Sequence, residues 1–513
     1  MFLRPCQLLV ISCLHVAVYG AVLRNFQVTQ PVVVPDDAKQ CTIKVLQPPT
    51  DCGPLGSWAA ITLNLTVTSN GTQYDRLAHF TFQNVEIWRT STPEPTIGDG
   101  IIWTYIKDVS RYTPLFANPG TFILQLDNIV EPGLDGIYSS KMLNVTLPRN
   151  TVKVFAELLA SGNAEEEFWY FNAANEYLST LPQDTTYGQG PFRELRLLID
   201  GKIAGAALPY PVIFTGGLNP SLWRPITAYG ALDLPTYFLD VTPFVPLLTD
   251  GNPHQFTIDV VSAEDDHTIL QNWYVSGLLQ VITDPSLKPT TGHMTVYDAP
   301  LFSQTSTTAV VQPDNVNITV KATRKLHIEA NILSGSGEAT YVVWKQDLSY
   351  SNEQSYIQDA QYQIVTQRAS GSNIATHNGV PSVVEIFSYP LYIDLAFSAD
   401  QTSFTTVVDH SYDRDLLPDP LVVRSKIEMS QITNGFFQVE TDGNFANGTS
   451  NNTFAYEDLA GNTYTREVDA ALNNITFDRE GGTLAHTGTT TEGFQSISQV
   501  IKYVLGRLPG GNK

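Results

Sequence analysis

The feature that most restricts this 513-residue chain is a two-residue period. Runs such as CTIKVL, ITLNLTVTS, LAHFTFQNVEIW, TFILQLDNI, ELRLLID and QFTIDVVS alternate apolar with polar residues and are rich in β-branched and aromatic types. Successive side chains of a strand point to opposite faces, so each run reads as a strand with one buried face. Turn pairs punctuate them: Asn70-Gly71, Pro132-Gly133, Asp200-Gly201, Asp250-Gly251 and Asp442-Gly443. These residues take up the backbone conformations that reverse a chain. Helical periodicity is weak throughout and strongest near 496–505. The fold class is therefore all-β: two jelly-roll or β-sandwich domains in tandem, followed by a further β-rich domain.

An internal echo divides the first half. One copy holds YDRLAHFTFQNVEIWRTSTPEP and then KDVSRYTPLF; the other holds PFRELRLLIDGKIAGAALPYPVIFTGG and then LDVTPFVPLLTDG. In each, an Arg (Arg76, Arg193) opens a strand, and an Asp-Val-Ser/Thr segment (Asp108, Asp240) comes later. Two motifs in one order point to a duplication. The expected boundaries are 21–150 and 151–285 for the two copies, a linker at 285–291, and 292–513 for the C-terminal domain.

The chain begins with a signal-peptide pattern over 1–20: Arg4, an apolar run from Leu8 to Val18, then Val18-Tyr19-Gly20. A secreted, extracellular protein is expected. Cys6 and Cys13 leave with the signal, and Cys41 and Cys52 remain as an even pair expected to form a disulfide. Seven N-x-[ST] sequons, at Asn64, Asn70, Asn144, Asn317, Asn447, Asn451 and Asn474, are candidate N-glycosylation sites. The net charge is −22, which repels nucleic acid and anionic membranes and argues against both as partners. No cofactor and no metal site is expected, since nine scattered histidines and one cysteine pair offer no ligand spacing.

Several stretches carry a resemblance. They are QYDRLAHFTFQNVEIWRTSTPEPT, AEEEFWYFN, GPFRELRLLIDG, LPYPVIFTGGLNPSLWRPITAYGALDLPTYFLDVTPFVPLL and NWYVSGLLQV. Together they resemble the peptide-N-glycosidase A family, well over about half of the chain and more loosely beyond. That family is more distantly similar to bacterial peptide-N-glycosidase F, which has two jelly rolls with the active site between them. The resemblance implies hydrolysis of the amide between the proximal N-acetylglucosamine and its Asn, on N-glycosylated peptides or glycoproteins, without a metal.

Amide hydrolysis needs an activated water, stabilisation of the oxyanion and a proton for the leaving nitrogen. No G-x-S-x-G elbow is present, so carboxylates are the candidates. Tyr74-Asp75-Arg76 looks like the bacterial Trp-Asp-Arg, which makes Asp75 the first candidate; in the echo its place is taken by Phe192. The second acid is sought in Glu165-Glu166-Glu167-Phe168-Trp169, with Glu167 preferred to Glu166. An extended backbone there would put Glu165 and Glu167 on one side. An alternative alignment anchored on Phe192-Arg193 turns instead to Gln189 and Glu194. Asp127 is the candidate assisting acid. Candidate substrate contacts are Arg76, Arg89, Glu94, Trp169, Trp223 and Arg224, with Trp273 as a further planar face. Two other classes share this equipment: a glycan-binding sandwich without catalysis, and a glycoside hydrolase with paired carboxylates.

Overall fold

The computed structural model describes residues 40–48, 54–56, 58, 60–69, 75–93, 101–126, 141–418, 424–440 and 444–485. The signal pattern and the segment at 496–505 lie outside them. Antiparallel sheets dominate the described residues, as the two-residue period requires.

In the first unit, strands Gln40–Leu46, Gly120–Leu126, Leu77–Phe82 and Val85–Ser91 form one sheet in that order. Thr62–Ser69 pairs with Ile101–Asp108 in a second. Leu77–Phe82 alternates half-buried with buried residues, so Ala78, Phe80 and Phe82 enter the core. There Phe80 stacks on Trp88, with ring centres 4.5 Å apart. The second unit pairs a four-stranded sheet (Lys202–Ala207, Glu194–Ile199, His254–Val261, Lys141–Val145) with a three-stranded one (Thr236–Asp240, Thr151–Gly162, Trp273–Thr283). Lys141–Val145 lies before residue 150, yet its hydrogen bonds go to His254–Val261. The chain thus passes into the second unit ahead of the boundary expected at 150, because a strand belongs to the sheet that satisfies its backbone.

The echo has a structural counterpart. After Ile101–Asp108, the Asp108 carboxylate accepts the Ser110 N–H, and two short helical segments follow, Ser110–Tyr112 and Thr113–Phe116. After Thr236–Asp240, Asp240 accepts the Thr242 N–H, and Thr242–Phe244 and Val245–Leu248 follow. The hydroxyl of Ser110 accepts from the Ile61 N–H, and that of Thr242 accepts from the Val154 N–H. Short polar side chains that bond the backbone two residues on are a local device, and it recurs here at matching places.

The C-terminal part is one eleven-stranded antiparallel sheet with strands of up to 19 residues, such as Asn315–Leu333 and Ala339–Ile357. Burial alternates along them, and the buried face lies against the second unit, forming a single core with it. Polar residues on this face cap backbone groups of the second unit. Gln346 bonds both the N–H and the carbonyl of Ala206, Asn352 donates to the Tyr170 carbonyl, and Trp344 Nε1 donates to Ala204. Each would be costly to bury without such a partner.

His410 sits in this interface, fully buried and stacked on Tyr210 at 4.8 Å. Burial pushes its imidazole down to about 3. A folded value below the ordinary 6.5 means the neutral ring contributes stability above that pH, which is lost as pH falls from about 6.5 toward 3. Thermal denaturation of the wild type and His410→Phe across this range should show the variant losing less stability on acidification. Parallel curves would remove His410 from the acid response. Among the described residues no helix is long and apolar enough to cross a membrane.

Candidate active site

Asp75 lies two residues before the strand Leu77–Phe82, within hydrogen-bond reach of Gly216 of the second unit. In that strand Leu77 and His79 stand opposite Ser91 and Arg89 of the neighbouring strand. Burial raises the Asp75 carboxyl above the usual aspartate value. Hydrogen bonds from the Gly216 N–H and its own N–H, the Arg76 guanidinium and the Ser91 hydroxyl pull the other way without cancelling it. The carboxyl therefore combines partial desolvation, which favours its neutral form, with fixed donors that favour the ionised one.

The loop that reaches Asp75 belongs to the second unit and is tied down at several points. The Thr215 hydroxyl donates to the Thr92 carbonyl at 2.8 Å, and Thr92 and Arg76 exchange two hydrogen bonds at 2.8 and 2.9 Å. Trp223 Nε1 donates to the Gly217 carbonyl. A Cβ on Gly217 would lie 3.0 Å from Ile213, 3.1 Å from the Phe214 carbonyl and 3.4 Å from the Phe168 ring, so a glycine lets the loop turn here. The same loop thus touches Asp75 through Gly216 and the Glu167–Phe168 turn through Gly217.

The three consecutive acids do not alternate. Ala164–Glu166 is a short 3-10 turn, so the side chains diverge: Glu165 is exposed, Glu166 buried and Glu167 half-buried. Glu166 has no exposed surface. Arg193 holds it with two hydrogen bonds of 2.6 and 2.8 Å, while the Leu270 N–H and Trp273 Nε1 also donate to it. Arg193 in turn donates to the carbonyls of Gln189, Gly190 and Phe192. Both Glu166 oxygens are thus engaged in a buried ion pair, an arrangement that serves structure. Glu194 is equally enclosed, paired with Arg324 of the C-terminal sheet. Gln189 accepts a hydrogen bond from Asn175.

Arg89 was expected at substrate with Glu94. It is buried, and its guanidinium takes Glu86 in a two-pronged pair at 2.8 Å for each bond. It also donates to Ser161 and to the Tyr274 carbonyl of the second unit. The Ser276 hydroxyl and His79 complete the cluster on Glu86, whose carboxyl lies well below the usual range: burial opposes this, but the Arg89 charge and the His79 and Arg89 hydrogen bonds prevail. This is a clamp between the units, with the Arg89 guanidinium buried inside it. Trp169, Trp223 and Trp273 are core residues, at most 7% exposed. Trp169 and Trp223 sit in short 3-10 segments packed into the core, whereas the strand period that turns Trp273 inward turns its neighbour Tyr274 outward, 48% exposed. Arg76 and Arg224 are half-buried, Arg76 beside Asp75 and Arg224 ahead of a cis proline.

Other expected residues lie outside the described ones: Glu94, Asp127, Cys52, Asn70, and the side chains of Cys41, Asn64 and Asn144. Asn317, Asn447, Asn451 and Asn474 are exposed on the C-terminal sheet. Ser91 and Gly216 were not anticipated, since a serine and a glycine far apart in sequence carry no mark of sharing a carboxyl. Among the described residues no group of three or more His, Cys, Asp or Glu is placed to hold a metal ion.

The sequence family described as peptide N-acetyl-beta-D-glucosaminyl asparaginase amidase A matches residues 37–145 and 139–300. A second, described as the PNGase_A C-terminal domain, matches 317–391. A curated relative from Prunus dulcis, peptide-N4-(N-acetyl-beta-glucosaminyl)asparagine amidase A, is 29% identical over 447 residues, covering 72% of this chain and 76% of the relative. No solved structure matches the chain.

Proposed function

Because the chain belongs to the peptide N-acetyl-beta-D-glucosaminyl asparaginase amidase A family, we propose that Asp75 handles the proton in its reaction. The protein is a glycoamidase acting on N-glycopeptides, cleaving the amide between the proximal N-acetylglucosamine and Asn. Water adds its oxygen to the amide carbon, the C–N bond breaks, and the nitrogen takes the proton that the water gave up. The peptide is left with Asp, and the glycan leaves as a glycosylamine.

In this reading the ionised Asp75 takes the proton from the attacking water and passes it to the departing nitrogen. The observation that carries the role is its carboxyl, raised by burial at the junction of two units and oriented by Gly216 and Ser91. A base whose conjugate acid has a raised pKa accepts a proton more readily than an ordinary aspartate, and returns it near the same pH. Glu167, half-buried on the turn that touches the same loop, is the second carboxylate of the reading. The signal pattern and exposed sequons support a secreted glycoprotein, and Cys41 with Cys52 its disulfide.

Mass spectrometry of a glycopeptide incubated with the protein at mildly acidic pH tests the reading. A bare peptide with Asp in place of Asn is the expected product. A peptide that keeps one N-acetylglucosamine would point to glycosidic cleavage instead, and an unchanged glycopeptide to binding alone.

A further inference from the structure

We infer that the cavity where the three units meet is a saccharide subsite, taking a sugar ring of the glycan beyond the N-acetylglucosamine that carries the scissile amide. This rests on the amidase reading above. The cavity is about 290 Å³. The first unit contributes Tyr105, a loop of the second Tyr229 and Asp233, and the inner face of the C-terminal sheet Asn452, Phe454 and Arg466. Phe454 and Arg466 stand directly opposite one another on neighbouring strands, and the Tyr229 and Phe454 rings lie 6.2 Å apart at 34°.

The chemistry of these walls selects the ligand. Aromatic rings bind the C–H faces of a pyranose, while its hydroxyls need fixed donors and acceptors around the edge. Asp233 is already oriented by Lys107 at 2.6 Å and by the Tyr105 hydroxyl at 3.3 Å. Arg466 is oriented by the two oxygens of Asp478 at 3.0 and 2.8 Å. One anion and one cation, each held in place before a ligand arrives, suit a neutral polyhydroxylated ring better than a charged peptide side chain. The volume is near the lower bound of about 300 Å³ for ligand cavities, enough for a single ring.

Its position suits a substrate already engaged at Asp75. Gly230 and Leu232 line the cavity, and the carbonyl of the residue between them, Ala231, accepts the Ser91 N–H at 2.8 Å. Ser91 is also the residue whose hydroxyl bonds Asp75. Cavity and carboxyl therefore flank one short stretch of chain. The C-terminal sheet, remote from the scissile amide, reads how far the glycan extends.

The test compares two glycopeptides with one peptide sequence, one bearing a branched neutral oligosaccharide and the other only the chitobiose core. In Arg466→Ala the ratio of kcat/KM between them should fall about tenfold, through KM, as expected for loss of one well-placed contact. The Arg466 side chain is 44% exposed, so the variant folds; Phe454→Ala should act in the same direction. An unchanged ratio in both variants overturns the subsite while leaving the amidase standing. If the wild type cleaves neither glycopeptide, the amidase reading fails by itself, and calorimetry with the free oligosaccharide decides. Binding weakened about tenfold in Arg466→Ala upholds the subsite; equal binding, or binding of the unglycosylated peptide instead, overturns it.

Discussion

Asp75→Asn should lower kcat/KM on a glycopeptide by about 10²- to 10⁴-fold, the range associated with a positioned proton-transfer group. The amide of Asn keeps the shape and can still accept the Gly216 N–H, but it cannot take a proton from water. The fold should not suffer. The Asp75 carboxyl is raised by burial, so its ionised form costs stability: the favourable contribution is present below the unfolded pKa and lost as pH rises through the folded one. Asn never ionises, and the variant should melt at or above the wild-type temperature at neutral pH. In the wild type, kcat/KM should rise with pH through a value above the ordinary aspartate pKa, as the base form is populated. A variant that loses activity and melting temperature together would make Asp75 a structural residue. One that keeps its activity would remove it from the reaction.

Glu166→Ala should cost about 3–5 kcal/mol in unfolding free energy, because it leaves the Arg193 guanidinium buried and unpaired. Domains are commonly stable by only about 5–15 kcal/mol, so this single change is expected to remove much of the margin. Both partners have no exposed side-chain surface, and screening by solvent does not soften the loss. Activity should fall because the turn at 164–167 and the segment 189–193 lose their common anchor. Denaturant unfolding of Glu166→Ala, beside the double variant Glu166→Leu/Arg193→Met, checks the claim. The double variant leaves no orphaned charge and should recover a large part of the stability. A Glu166→Ala protein with wild-type stability and no activity would return Glu166 to the reaction.

The two acids of this stretch show how the sequence misleads. Glu166 and Glu167 are adjacent, identical in type and followed by the same aromatic run, so their local pattern cannot separate them. What separates them is burial, and the pairing of Glu166 with Arg193, 27 residues on. Reading the stretch as extended put Glu165 and Glu167 together, but a 3-10 turn disperses the three side chains. Trp169, Trp223 and Trp273 carry the same lesson: a planar ring looks the same in sequence whether it faces sugar or core. Asp75 stood out for a different reason. The echo supplies an internal comparison, and Phe192 marks where the second copy has no acid. The C-terminal sheet was legible as strands, but its union with the second unit was not. Gln346 and Asn352 join the two by bonding the backbone of Ala206 and Tyr170, partners far away in sequence.

The sequence by itself determined the all-β class, several strand positions in the first two units and the duplicated Asp-Val-Ser/Thr turns. Each depends on side-chain alternation or on a polar residue bonding the backbone two positions away, and so is written locally. The tertiary structure alone decided which carboxyl is raised by burial and which is spent on an ion pair. Desolvation and pairing depend on groups brought together from distant parts of the chain, such as Gly216 and Ser91 at Asp75 or Arg193 at Glu166. The energy of a buried charge is set by those neighbours and not by the residues beside it in sequence.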